Sequence, residues 1–448
     1  MKDLSNIKLF GRIRYNDPIF QVFLVGMVCF CCPGMYNVIN GMGAGGQMDD
    51  STAKDGNVAL YAAFAVFGFF GGAMYNFLGV RLTLCIGGLC YALYSGSLLN
   101  YNHTHNKAFV IGASAVLGLG AACLWTAQGV IMMSYPSEGQ KGKAVGLFFI
   151  VFNLGGVLGG FIPFGMNFNS NAGAVSDGTY AAFLGIMIVG AAISWLLLPP
   201  SKVVRDDGSK VPVKKFDTNI MKEVIGTFKV FTHKQILLIT PFLFCVTFYY
   251  SYEFGAINGV LFSVRSRSWN NVFYWAFEML GAYALGRFLD TPRYDRKTKG
   301  LYALTAVSTI CMAVWGGCLA LQLQYTREDH PRDLDFIDTP GAFWPKWLLY
   351  VLFGLCDALC QTLVFWILGS LSNDSTVLAQ YAGYAKAVQS IGGAISWRID
   401  AVGTAFLTQM ILNWALFAFS IPFTYILVGG IKDTNNTEEN EEKIEAAA

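Results

Sequence analysis

Apolar residues in this chain are gathered into long runs separated by short polar segments. Twelve runs stand out, near 18–39, 56–77, 82–99, 108–133, 144–166 and 180–199, then 236–262, 270–290, 300–322, 345–370, 377–397 and 403–429. A helix needs about 20 mostly apolar residues to cross ~30 Å of hydrocarbon. Lipid leaves no partner for an open strand edge, and segments of alternating apolar and polar residues are absent, so each run predicts a spanning helix. The pattern therefore predicts an all-α polytopic membrane protein with twelve crossings.

The polar remainder orders these crossings. Residues 1–17 are a polar tail leading into a full-length run, so no cleaved leader is expected. A linker at 200–235 opens with Pro199-Pro200 and divides the runs six and six, giving helical units at 18–199 and 236–430. Residues 431–448 are acidic and lack apolar periodicity, which predicts a disordered tail. Most of the 31 basic residues fall on the side of both termini, including Arg12, Arg14, Arg81, Lys141, Lys143, the Lys202–Lys234 cluster and Arg287–Lys299. The positive-inside rule then places both termini in the cytoplasm. A sequon at Asn102-His103-Thr104 falls on the outer side and marks Asn102 as a glycosylation candidate; the sequon at Asn435 would stay unused.

Composition agrees: 54% of residues are hydrophobic, 13% charged, and the mean hydropathy is +0.46. A net charge of +2 offers no field for nucleic acid. A soluble enzyme is excluded on the same grounds.

Two patterns recur at equivalent places. After the second run the chain reads GAMYNFLGVRL, with Gly72, Asn76, Gly79 and Arg81; after the eighth it reads GRFLDTPRYDRK, with Gly286, Asp290 and Arg293. The fifth run contains NLGGVLG and the eleventh SIGGAIS, whose spaced glycines permit close helix contact. This arrangement resembles the major facilitator superfamily, whose loop after the second span latches the cytoplasmic gate. The resemblance implies two pseudo-symmetric six-helix bundles. It also implies a gate at Gly72, Asn76, Gly79, Arg81, Gly286, Asp290 and Arg293, with Asn76 standing where the family has an acid. The segments YNVINGMGAGGQMD, GFFGGAMYNFLGVR, GAACLWTAQGVIMMSYP and FNLGGVLGGFIPF are similar to the uncoordinated-ninety-three family, fungal members included. That family is named for ion-channel regulatory proteins.

Ionisable residues at mid-bilayer are costly and mark candidate sites. Four occur, all in the second half: Glu253, Glu278, Asp357 and Lys386. Their formal sum is −2, so the set is expected to bind a cation or hold a proton, with Lys386 paired to Asp357 or Glu278; a static ion pair is the alternative. In the first half Asn37, Asn40, Trp125, Gln128 and Asn153 are uncharged cavity candidates, which could equally serve as interhelical hydrogen bonds. Pro33-Gly34 predicts a kink in the first span.

Other signals carry less. GMGAGG at 41–46 follows a membrane helix and not a strand, so it reads as a flexible lid and not a nucleotide loop. The four histidines lie in loops, the eleven cysteines lie within spans, and neither set makes a metal site or a disulfide framework. No cofactor and no Walker loop is expected. The resulting expectation is a secondary transporter of a small solute working by alternating access, with proton or cation coupling, in a plasma or vacuolar membrane. The alternative is a non-transporting membrane protein that regulates an ion channel.

Overall fold

The computed structural model describes residues 8–9, 13–41, 50–167, 177–211, 229–328 and 334–435. The glycine-rich 42–46 stretch, residues 212–228 of the linker, His330, Arg332 and the acidic end of the chain lie outside these.

Helices fill the described chain. The first half comprises α1 (Pro18–Gly41), α2 (50–78), α3 (80–104), α4 (Lys107–Ser134), α5 (Lys141–Asn167) and α6 (Asp177–Ile193). The second comprises α7 (Lys234–Cys245, resuming as a π-helix over Ser251–Gly259), α8 (Val264–Leu289), α9 (Arg296–Gln322), α10 (Pro340–Leu371), α11 (Ser375–Ala401) and α12 (Phe406–Gly429). Short polar residues start many of them. Asp17 caps α1 ahead of Pro18, and Asn106, Ser263, Asp295 and Asp374 cap α4, α8, α9 and α11 through side-chain oxygens that accept orphan N–H groups.

Eight helical stretches among the described residues are long and apolar enough to cross a membrane, and one of them, Thr52–Thr104, holds both α2 and α3. Helices α7, α8 and α11 fall short because they are interrupted or diluted by polar residues. They are the helices that bring Glu253, Glu278 and Lys386 into the bundle.

Three elements differ in detail from the runs read in the sequence. No loop separates α2 from α3: the chain reverses at Gly79, whose φ of 73° and ψ of 168° belong to a region that only glycine enters without strain. Helix α1 bulges into a π-turn over Phe30–Gly34, where Pro33 has no N–H to give. Helix α7 is broken rather than continuous over 236–262. Residues 431–435, assigned to the tail, are ordered against the bundle: Ile431 is buried, and Thr434 and Asn435 bond to Glu138.

The two halves meet along paired seams. At the first, α5 lies on α8: a methyl on Gly286 would come within 2.6 Å of the Gly142 carbonyl, Gly156 faces the Trp275 ring, and Gly160 faces Val272. At the second, α2 lies on α11: Gly68 abuts Ala387, Gly72 abuts Gln380, and Gly393 abuts the Tyr61 ring. Small residues let backbones approach at both seams, which are related by exchange of the halves.

Candidate functional site

Between the halves, midway along both seams, lies a cavity of about 90 Å³, room for a handful of waters. Much of its wall is aromatic, with Tyr36, Tyr61, Tyr91, Trp125, Phe152, Tyr250, Phe254 and Trp275 facing it. Helix α1 reaches the wall through its π-turn, so Pro33, Tyr36, Asn37 and Asn40 line one side.

The charged groups gather on the opposite wall. Asp357 on α10 accepts hydrogen bonds from both phenols of a tyrosine pair on α7, Tyr249 to Oδ1 and Tyr250 to Oδ2, each at 2.7 Å. Glu278 on α8 accepts from Asn153 Nδ2 of α5 at 2.8 Å, a bond that joins the two halves. The carboxyls of Glu278 and Asp357 are within hydrogen-bond reach of each other. Glu278 Oε1 is buried without a protein donor. Two facing carboxyl oxygens can bond only if one carries a proton, so the arrangement fits a shared proton. Other titratable groups around the pair are Glu253 on the π-segment of α7, Tyr61 on α2, and Cys356 and Cys360 on α10.

Lys386 does not make the ion pair expected of it. Its ammonium lies over the rings of Trp125 on α4, at 4.6 Å, and Phe365 on α10, at 5.1 Å, and is within 4 Å of neither carboxylate. Asp357 still attracts it through space, while the direct donors to that carboxylate are the phenols of Tyr249 and Tyr250.

The remaining sequence candidates separate. Asn37 and Asn40 line the cavity, Asn40 accepting from Asn57 Nδ2 at 3.2 Å. Trp125 lines it and donates to the Tyr91 hydroxyl at 3.1 Å. Gln128 lies off the wall: one turn along α4, where Gly129 packs on Ala382, its amide reaches only the Met132 sulfur at 3.4 Å. Glu253 is also off the wall, buried and bonded to the Tyr274 hydroxyl at 2.8 Å. Gln361, Gln389 and Ser390 line the cavity and were missed; in the sequence they are indistinguishable from amides that merely bridge helices.

At the face where the chain begins and ends, the gate is closed. Asp290, just past the end of α8, accepts from the Gly142 and Lys143 amides at the start of α5, the former at 2.8 Å. Burial pushes its carboxyl up to about 6, against the pull of those amides. Glu138, between α4 and α5, is held by four donors from the other half: Arg296 Nη2 at 2.9 Å, Asn373 Nδ2 at 2.7 Å, Thr434 Oγ1 at 2.9 Å and the Asn435 amide at 3.0 Å. Lys141 bonds to the carbonyls of Gly369 and Ser372 at the end of α10. Glu138 and Lys141 were not among the gate residues expected. Of the gate candidates, Gly72 and Gly286 sit in the seams, Arg81 stays within its own half on the Leu197 carbonyl at 2.7 Å, and Arg293 stacks on Tyr294. At the opposite face Lys54 of α2 meets Asp400 of α11 at 3.2 Å, and Asp400 is further held by Arg327. Among the described residues, contacts between the halves thus cross the path at both faces.

A family model described as the Major Facilitator Superfamily matches residues 22–396. The chain belongs to that superfamily. Its relatives narrow the placement to the UNC93-like members. UNC93-like protein 1 of Arabidopsis thaliana is 42% identical over 97% of this chain and 95% of its own length. An UNC93-like protein of Schizosaccharomyces pombe is 38% identical over 92% of this chain and 82% of its own. Among solved structures, the proton:xylose symporter XylE bound to 6-bromo-6-deoxy-D-glucose superposes with a TM-score of 0.62 at 14% identity, covering 92% of this chain and 96% of that one. That similarity establishes the fold: a helical membrane protein of the facilitator type with a transporter-like architecture, surrounded by a lipid bilayer.

Proposed function

We propose that this UNC93-like chain is a secondary transporter that moves a small solute by alternating access and couples it to protons held on Glu278 and Asp357. The observation that carries this reading is the buried carboxyl pair on the cavity wall, bridged across the halves through Asn153, with an oxygen that has no protein donor and that a shared proton would satisfy. Such a pair can gain a proton when the cavity faces one side and lose it when it faces the other. The halves 18–199 and 236–430 are the rocking units, and the seams α5/α8 and α2/α11 are the surfaces about which they part. Both termini are assigned to the cytoplasm of a plasma or vacuolar membrane, in keeping with the basic residues of the terminal face and with Asn102 on the other side.

The test is uptake of a solute panel into proteoliposomes containing the protein alone, with and without an imposed pH step. The pH step is expected to accelerate uptake of at least one solute, and Glu278→Gln and Asp357→Asn are expected to abolish the acceleration while sparing exchange at equal pH. Uptake indifferent to pH in the unmodified protein and in both variants refutes the coupling. No uptake of any solute, together with altered current from a co-expressed channel, replaces transport with the channel-regulator reading.

A further inference from the structure

We propose that the cavity takes an organic anion with a flat apolar body, its charged end against Lys386, and that one proton enters with it. This deepens the transport reading by naming the class of solute.

Lys386 is 6% exposed and lines the cavity, yet its ammonium has no carboxylate at ion-pair distance and rests on two ring faces. Ring faces offset only part of the cost of burying a cation; an anion offsets most of it. Asp357 attracts the Lys386 ammonium through space, but the direct donors to Asp357 are the two phenols and Glu278 is bonded to Asn153, so among the described residues no carboxylate meets the ammonium at ion-pair distance. The cavity is the direction left open. Asn37 adds an amide to the wall, with no hydrogen-bond partner among the described residues. The rings of Tyr61, Phe152, Tyr250, Phe254 and Trp275 make the rest of the space suited to a flat apolar group.

Charge conservation supplies the proton. With one shared proton the Glu278–Asp357 pair carries −1 and Lys386 carries +1, so the three groups sum to zero. An incoming anion makes the sum −1 in a space with little water, and a second proton on the pair restores zero. Glu253, the further carboxyl facing the pair among the described residues, is bonded to Tyr274 outside the cavity and contributes the same charge before and after loading. The phenols of Tyr61, Tyr249, Tyr250, Tyr274 and Tyr350 and the thiols of Cys29, Cys356 and Cys360 complete the titratable surroundings among the described residues.

The experiment titrates the full chain in nanodiscs with benzoate, benzamide and benzylammonium, following quenching of tryptophan fluorescence. Benzoate is expected to bind at least about tenfold more tightly than either analogue at pH 6, and to weaken toward pH 8 by up to about tenfold per unit. Lys386→Gln should lose about tenfold or more for benzoate with benzamide unchanged, Lys386→Arg should stay within about threefold, and Glu278→Gln should flatten the pH dependence. Equal binding of benzamide or benzylammonium, or an unaltered benzoate affinity in a folded Lys386→Gln, overturns the proposal. The ligand series on the unmodified protein decides the matter even if Lys386→Gln fails to fold. Binding is read without a gradient, so intact benzoate selectivity without uptake removes only the transport reading. Proton-driven uptake of a neutral solute by a protein indifferent to benzoate removes only this one.

Discussion

Replacing Gly286 by alanine tests the α5/α8 seam directly. The added methyl would sit 2.6 Å from the Gly142 carbonyl oxygen, with Gly146 Cα at 3.3 Å. Ordinary contact begins at 3.4 Å, so the helices must part by about 0.8 Å at the terminal face. The bond from the Gly142 amide to Asp290, now 2.8 Å, would stretch to about 3.6 Å and cease to be one. Losing it costs less than the usual 1.5–3 kcal/mol or so for a bond to a charged group, because the released carboxylate regains water. Overpacking against backbone remains, about 1–3 kcal/mol, and at about 2 kcal/mol the closed-to-open ratio falls roughly 30-fold. Single-molecule fluorescence between labels at the exposed positions 139 and 293, with Cys85 replaced, reads the separation of the halves at that face. Gly316→Ala on α9 is the control, since its methyl would meet nothing within 4 Å and should only favour the helix, by about 1 kcal/mol. An unchanged distance distribution in Gly286→Ala, or the same shift in Gly316→Ala, refutes the steric argument.

Further outcomes follow from the same geometry. Because burial raises Asp290 from 3.8 to about 6, the closed face binds its proton more tightly than an opened, hydrated one. Its closed population should therefore be fully favoured below about pH 4 and decline as pH rises through about 6, by up to two powers of ten. Asp290→Asn should make the same label pair insensitive to pH. Lys54→Gln removes one cation from buried Asp400 and leaves Arg327, so the opposite face should loosen by about 1–2 kcal/mol, read as increased labelling of a cysteine placed at Gln361. Gly79→Ala forces a side chain into a region reserved for glycine, costing about 1–3 kcal/mol, and should lower the melting temperature of the purified protein without altering benzoate selectivity.

The crossings were legible because bilayer thickness dictates run length, and the twelve runs match twelve helices among the described residues. The glycines of the seams were legible for a similar reason, since GAMYN and GRFLD recur where close contact is required. What escaped was which groups meet. Glu278 and Asp357 are brought together by the close packing of α8 on α10, where Gly281 meets Leu355 and Gly354 meets Tyr274, and the tyrosines that cradle Asp357 read as ordinary aromatic content of an apolar run. Lys386 was expected on a carboxylate because charge alone was counted; the phenols that bond Asp357 directly come from a break in α7 that no proline at that point announces. Gln128 was placed in the cavity from its helix alone, yet one turn of α4 is enough to move a side chain from the cavity to the closed interface. Glu138 had no visible partner in sequence, since its donors lie at 296, 373, 434 and 435.

That last set bears on how the protein is made. During synthesis the first six helices emerge and insert long before Thr434 and Asn435 leave the ribosome, so Glu138 waits at the membrane surface with none of its four ligands. A nascent chain, or one cut short before residue 434, can hold both bundles yet lacks two of the bonds that fasten them together on that side. The segment just past α12 thus supplies the last of these fastenings.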